Sequence, residues 1–191
     1  VAETDRDVLL EVGSIVYSGW TNGTKNEYTV ETNQTGGDVT IVFTPTRNNW
    51  FSDGNNLLSV NGVSLIKTYG VSGSYNGYYL GTTAVKTSAA NVITVVINPS
   101  TGAAAISDAA GNTGTANVGA IGDSFTMAVN QEYNNSWELT SIVVTQLKAA
   151  SGDSSDALYT NNFDSAEDVA CGVCGDTVNV AFNEAKSALQ L

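Results

Sequence analysis

The chain has 191 residues, enough for one domain that buries a two-sheet core without support from disulfides or metals. Its 7 Lys and Arg against 19 Asp and Glu leave a net charge of -12, which repels phosphate backbones and anionic headgroups, so neither nucleic acid nor a membrane surface is an expected partner. There is no His, and no apolar run reaches the roughly 18 residues that a membrane-spanning helix needs.

Gly, Asn, Thr, Ser and Val are abundant while charged residues make up only 14%, a profile of exported β proteins more than of cytosolic enzymes. An extracellular or cell-surface location is therefore expected, and a chain that begins at Val1 without Met reads as a mature or excised fragment. The pairs Asn22-Gly23, Asn61-Gly62 and Asn76-Gly77 are chemically fragile when hot and favour a mesophilic source. Asn22, Asn33 and Asn134 each begin an N-x-[ST] sequon, which matters only in a host that glycosylates exported chains.

In chain order, Val8 to Val12, Ser14 to Trp20 and Tyr28 to Thr32 read as the first strands. Val39, Ile41 and Phe43 then alternate with Thr40, Val42 and Thr44, the period of a strand with one buried face. Residues 57 to 67 place Asn61-Gly62 between apolar, β-prone runs; both centres of a type I′ turn need positive φ, so a tight hairpin is expected. Tyr75-Asn76-Gly77-Tyr78 offers a second hairpin. Ile93, Val95 and Ile97 alternate with Thr94, Val96 and Asn98, and the loop Asn98 to Gly102 leads into a strand at Ala103 to Ser107. Ser124 to Tyr133 and Trp137 to Leu147 complete about ten strands at the short spacing of sandwiches and barrels. No amphipathic helices alternate with them, so the expected fold is all-β, a two-sheet antiparallel sandwich.

Lys148 to Asp156 is small and polar and reads as a boundary, dividing a sandwich domain at 1–150 from a tail at 151–191. Asp156 to Ala170 reads as a strand and a helical turn. Asp176 to Leu191 holds a strand followed by either a short helix, with Phe182, Ala185 and Leu189 on one side, or another strand.

The segments DVTIVFTP (38 to 45), NLLSVNGVSL (56 to 65), VITVVINPSTGAAAIS (92 to 107) and SFTMAVNQEYNNSWELTSIVVTQ (124 to 146) resemble the concanavalin-A-like or laminin-G-like jelly roll of bacterial carbohydrate-binding modules. The resemblance covers roughly residues 38 to 146 and lies in the pattern of strands and turns, not in an invariant motif. It implies a sandwich that binds glycans and often carries a structural Ca2+. The tail segment LYTNNFDSAEDVA (158 to 170) looks like the opening strand of such a domain, here placed last. Either the order is permuted and the tail completes its own sandwich, or the tail completes a neighbouring copy. Both predict that residues 157 to 165 pair as a strand, because natural sheets avoid bare edges.

Without His, Ser-His-Asp and Cys-His catalysis and His-based zinc sites are excluded. Glycosidases need only two carboxylates, but the Glu-x-Asp-x-x-Glu strand of laminarinase-type enzymes does not occur here. Glu27 and Glu31 share a strand face yet stand about 13 Å apart at strand rise, so no enzyme is expected. Cys171 and Cys174 have the spacing of a redox pair but lack an evident strand-to-helix setting; a small local disulfide is the expected reading.

Sugar rings stack their C–H faces on Trp and Tyr and hydrogen-bond to amides and carboxylates. That combination occurs around Asn49 and Trp50, around Tyr69 with Tyr75, Tyr78 and Tyr79, and along Gln131, Tyr133 and Asn135 to Trp137. Trp50 lies among polar loop residues, and Trp20 beside Asn22-Gly23-Thr24 is a second exposed platform; for the other rings the alternative is a half-buried sandwich side chain. No cofactor is required, although Asp53, Gly54, Asn55, Asp123 and Asp164 could supply oxygen ligands to calcium. The expected function is non-catalytic binding of a neutral polysaccharide or oligosaccharide. The alternative is a structural repeat of a surface adhesin or extracellular filament, self-associating by donation of its C-terminal strand.

Overall fold

The computed structural model of the chain describes residues 5–17, 25–45, 54–69, 77–85, 92–130 and 137–149, together with the backbone of 181–183 and 188–190. The chain divides into two compact units, Val1–Ala149 and Ala150–Leu191.

The first unit contains β1 (Arg6–Val12), β2 (Ile15–Tyr17), β3 (Lys25–Glu31), β4 (Val39–Pro45), β5 (Asn56–Val60), β6 (Val63–Thr68) and β7 (Tyr78–Leu80). After these come β8 (Thr83–Val85), β9 (Ile93–Ile97), β10 (Ala103–Asp108), β11 (Thr113–Asn117), β12 (Ser124–Asn130) and β13 (Trp137–Leu147). One sheet has the order β1-β13-β4-β9-β10-β11, with β2 continuing the β1 edge along β13; the other has the order β3-β12-β5-β6-β7-β8. Every pairing within the two sheets is antiparallel. The unit is the all-β sandwich that the alternation predicts.

The alternating strands bury the expected faces. Ile41 and Phe43 on β4 pack with Ile93 and Val95 on β9 and Ile142 and Val144 on β13, all fully buried. From the second sheet Leu58, Ile66, Leu80, Met127 and Val129 join the same core, and burying each such side chain contributes about 1.5 to 3 kcal/mol. The β5–β6 hairpin turns at Asn61-Gly62 with φ of 49° and 78°, the positive values that a type I′ turn demands. Register shifts on either side of Leu58 break the strict alternation, which is how Leu57, Leu58, Ser59 and Val60 are all buried in succession.

Of the second expected hairpin, Tyr75 and Asn76 lie outside the described residues; Tyr78 pairs with Thr68, and the Tyr69 N–H donates to the Gly77 carbonyl at 3.0 Å, so Gly77 and Tyr78 belong to the β6–β7 pairing. The chain connects β6 to β7 over a longer span than a two-residue turn, and the facing strands set the register.

At one side the sheets meet. Gly81 bridges to Thr115, and a Cβ on Gly114 would lie 1.8 Å from the Leu80 carbonyl oxygen, so only glycine lets the β11 backbone come this close to β7. At the end of the sandwich where β3 leads into β4, the buried Gln146 side chain accepts from the Asn33 N–H at 2.8 Å. Its Nε2 donates to the Asn33 and Gly37 carbonyls at 2.9 and 3.2 Å.

In the second unit, β14 (Ala181–Asn183) and β15 (Ala188–Gln190) pair antiparallel, with Phe182 opposite Leu189. Of the two readings for this stretch, the second strand is the one formed. The segment expected to pair as a tail strand, 157–165, lies outside the described residues.

Candidate functional site

The pairing registers place one set of strand ends together. In the first sheet Tyr17 lies opposite Trp137, Pro45 opposite Leu139, and Ile93 opposite Phe43. In the second, Lys25 lies opposite Asn130, Asn56 opposite Lys67, and Tyr78 opposite both Thr68 and Val85. The Tyr17 hydroxyl donates to Asn26 Oδ1 at 2.9 Å and ties the two sets into one end of the sandwich. The strands that flank 18–24, 46–53, 70–76, 86–91 and 131–136 therefore all begin or stop at this end. Among these connections are the stretches that carry Trp20, Asn49, Trp50, Tyr75, Gln131, Tyr133 and Asn135, each of which lies outside the described residues.

Aromatic side chains close the core beneath this end. The Trp137 indole is fully buried, stacked on Tyr17 with ring centroids 4.6 Å apart and tilted against Phe43 at 5.9 Å. Trp137 is thus core, as a strand-initial position facing inward requires. Burial, and secondarily the neighbouring Tyr28, hold the Tyr17 phenol well above its ordinary range.

The candidate tyrosines separate by strand alternation. Tyr78 points inward with Leu80, is completely buried, and offers no ring face to a ligand, which corrects its expected place in the binding site. Tyr79 points the opposite way, half-buried on the outer face of the second sheet, with Lys67 and Ala84 as its register partners on either side. Tyr69 meets it edge-on at 5.2 Å and 79°, a favourable aromatic geometry. Asn56 faces Lys67 across β5 and β6, and its Oδ1 accepts from Ser64 Oγ at 2.7 Å.

Further along the same face, Ala128 and Ser59 are register partners that point outward yet are each only 5% exposed. Ala128 is flanked by Glu27 on β3 and Ser59 on β5. Glu27 pairs with Lys25 on its own strand. This arrangement brings together two half-buried rings, an amide, hydroxyls and an ammonium, which are groups for holding a ligand by stacking and hydrogen bonds.

Lys67, Asn56 and Ser64 were not among the expected site residues. Their proximity to Tyr79 depends on cross-strand register, which no local pattern reveals.

The candidate calcium ligands do not form one set. Gly54 and Asn55 run beside Thr68 at the end just described, where the Asn55 N–H donates to Thr68 Oγ1 at 2.9 Å. Asp123 lies at the opposite end, its carbonyl accepting from the Thr32 N–H. A β12 length of about 20 Å separates them, so one ion cannot take ligands from both. Asp53 and Asp164 lie outside the described residues, and among the described residues no group of three or more His, Cys, Asp or Glu could hold a metal. Cys171 and Cys174 also lie outside the described residues.

At the opposite end, a depression of about 280 Å³ lies between Thr32, Asn33, Pro99, Ser100 and Gly122; among the described residues no aromatic side chain lines it. No protein-family model matches the chain, and no curated protein matches it.

Proposed function

We propose that the first unit is a non-catalytic carbohydrate-binding sandwich, with its site at the end where 18–24, 46–53, 70–76 and 131–136 leave the sheets and on the adjoining outer face of the second sheet. The observation that carries this reading is the outward Tyr79–Tyr69 pair beside Asn56, Ser64 and Lys67. It adjoins strand ends whose connections are rich in Trp, Tyr, Asn and Gln. Flat rings interleaved with amides suit a ligand that is apolar on its ring faces and polar around its rim. An exported or surface setting fits the same composition.

Glycoside hydrolysis is the poorer reading. Glu27 and Glu31 lie on the outermost strand of the second sheet, both exposed, with Glu27 held by Lys25, where two acids flanking a bound glycosidic bond are needed. Assembly by strand donation is favoured only by the exposure of Val8 and Val16 on the first sheet's outer edge. Against it, β1 carries Asp7 and Glu11 and a register shift between Val8 and Leu10, features that guard an edge against further pairing.

The test is affinity electrophoresis and a glycan array on the wild type, Trp50→Ala and Tyr79→Ala. Each substitution should weaken binding by about 1 to 3 kcal/mol while leaving the far-UV spectrum unchanged. Absence of binding to any immobilised glycan by the wild type would refute the proposal.

A further inference from the structure

The acids of this chain are unevenly placed. From Gly54 to Ser107 there is no Asp or Glu, although the whole chain has 19, and the same stretch contains Lys67 and Lys86. It supplies β5, β6, β7 and β8, two-thirds of the way across the second sheet, and β9 and most of β10 in the first. The described acids of the second sheet, Glu27 and Glu31, lie on β3, separated from β6 by β12 and β5. At about 4.8 Å per strand, that is some 14 Å, beyond a Debye length at physiological salt.

Lys67 sits on this acid-free half. It is half-exposed on the outer face, opposite Tyr79 on one side and Asn56 on the other. Among the described residues no carboxylate pairs with it, whereas Lys25 pairs with Glu27 and Lys148 with Asp5 and Asp7. Val85, which ends β8 on the far side of Tyr79, is followed in sequence by Lys86.

We infer that the Tyr79–Tyr69 face is a subsite for an acidic sugar, a uronate ring stacked on tyrosine with its carboxylate on the Lys67 ammonium. The inference rests on the carbohydrate reading and changes its ligand from neutral to acidic. The net charge of -12 argues for a neutral glycan only at long range. Within a Debye length of about 8 Å the local groups decide; on the outer face they are an ammonium, an amide, hydroxyls and two phenol rings, and the described carboxylate that acts on Tyr78, Asp108, is buried on the core side. Directly opposed cross-strand residues hold their Cβ atoms about 5 Å apart. A ring lying on Tyr79 thus brings its exocyclic carboxylate within reach of a flexible lysine carrying three donors.

Polygalacturonate, alginate and hyaluronan, each beside its carboxyl-reduced counterpart, are the probes, measured by affinity electrophoresis against the wild type and Lys67→Gln. The expected result is retention by at least one acidic polymer, weaker retention by its reduced form, and a loss of about fivefold in affinity for the acidic form in Lys67→Gln. The variant should lose more affinity for the acidic form than for the reduced form, and its binding to the acidic form should depend less on salt. Equal binding of acidic and reduced polymers, an unchanged Lys67→Gln, or retention by neutral glycans alone would overturn the acidic subsite and leave the carbohydrate reading standing. No retention by any polymer, acidic or neutral, would remove both.

Discussion

Replacing Gln146 by Leu should destabilise the first unit by about 2 to 3 kcal/mol. The side chain is 1% exposed and makes three hydrogen bonds to backbone groups of Asn33 and Gly37. Each contributes about 0.5 to 1.5 kcal/mol net, and Leu, of similar volume, removes all of them without opening a large cavity. Asn33 itself is exposed, so water recovers part of the loss and holds the sum to the middle of that range. For a domain of this size the change corresponds to about 4 to 12 °C in Tm. Urea titration followed by far-UV circular dichroism and tryptophan fluorescence measures it, and amide exchange should quicken at Asn33 and Gly37 in particular. The proposed glycan binding should not change, because Gln146 lies at the end remote from Tyr79. A shift of under about 0.5 kcal/mol would refute the reasoning, since it would mean the buried amide contributes no more than an ordinary surface position.

Gly114→Ala should cost about 1 to 3 kcal/mol, because the new Cβ would meet the Leu80 carbonyl at 1.8 Å and force β11 away from β7; thermal melting checks this, and an unchanged Tm would show that the two backbones separate freely. Burial, with a smaller contribution from Asp108, raises the Tyr78 phenol well above its ordinary value near 10. The unfolded chain therefore releases that proton first as pH rises, and above about pH 10 stability should fall by about 1.4 kcal/mol per pH unit from this group. Tyr78→Phe should remove that slope in urea titrations between pH 9 and 11, and an identical slope in the variant would mean that other groups cause it.

The sandwich is legible in the sequence wherever burial is one-sided. Val39 to Thr44 and Ile93 to Asn98 alternate because one face of each strand meets the core, and Asn61-Gly62 announces its turn because few other pairs tolerate positive φ twice. β8 and β11 are not legible: Thr83-Ala84-Val85 and Thr113 to Asn117 lack an apolar run, and long-range pairing holds them in place. Alternation predicts that Tyr78 and Tyr79 point to opposite faces but not which one points outward. That choice follows from pairing with Thr68 and Lys67 across β6, a non-local fact. For the same reason the chain from Gly54 to Ser107 reads as ordinary strands until register puts Lys67 next to a ring.

The two ends of the sandwich differ in what they ask of the chain. Tight turns such as Asn61-Gly62 and Asn98 to Gly102 set strand pairing at one end, so an inserted residue there would shift whole faces. At the other end, apart from the tight β10–β11 turn at Asp108 to Thr113, the connections join strands whose register is set by the facing strands, and lengthening a connection costs little, roughly 0.6 kcal/mol per doubling. The framework is thus suited to accept foreign segments while keeping its interior, and grafting them between Pro45 and Asn56 or between Asn130 and Trp137 is a practical route to engineered binding.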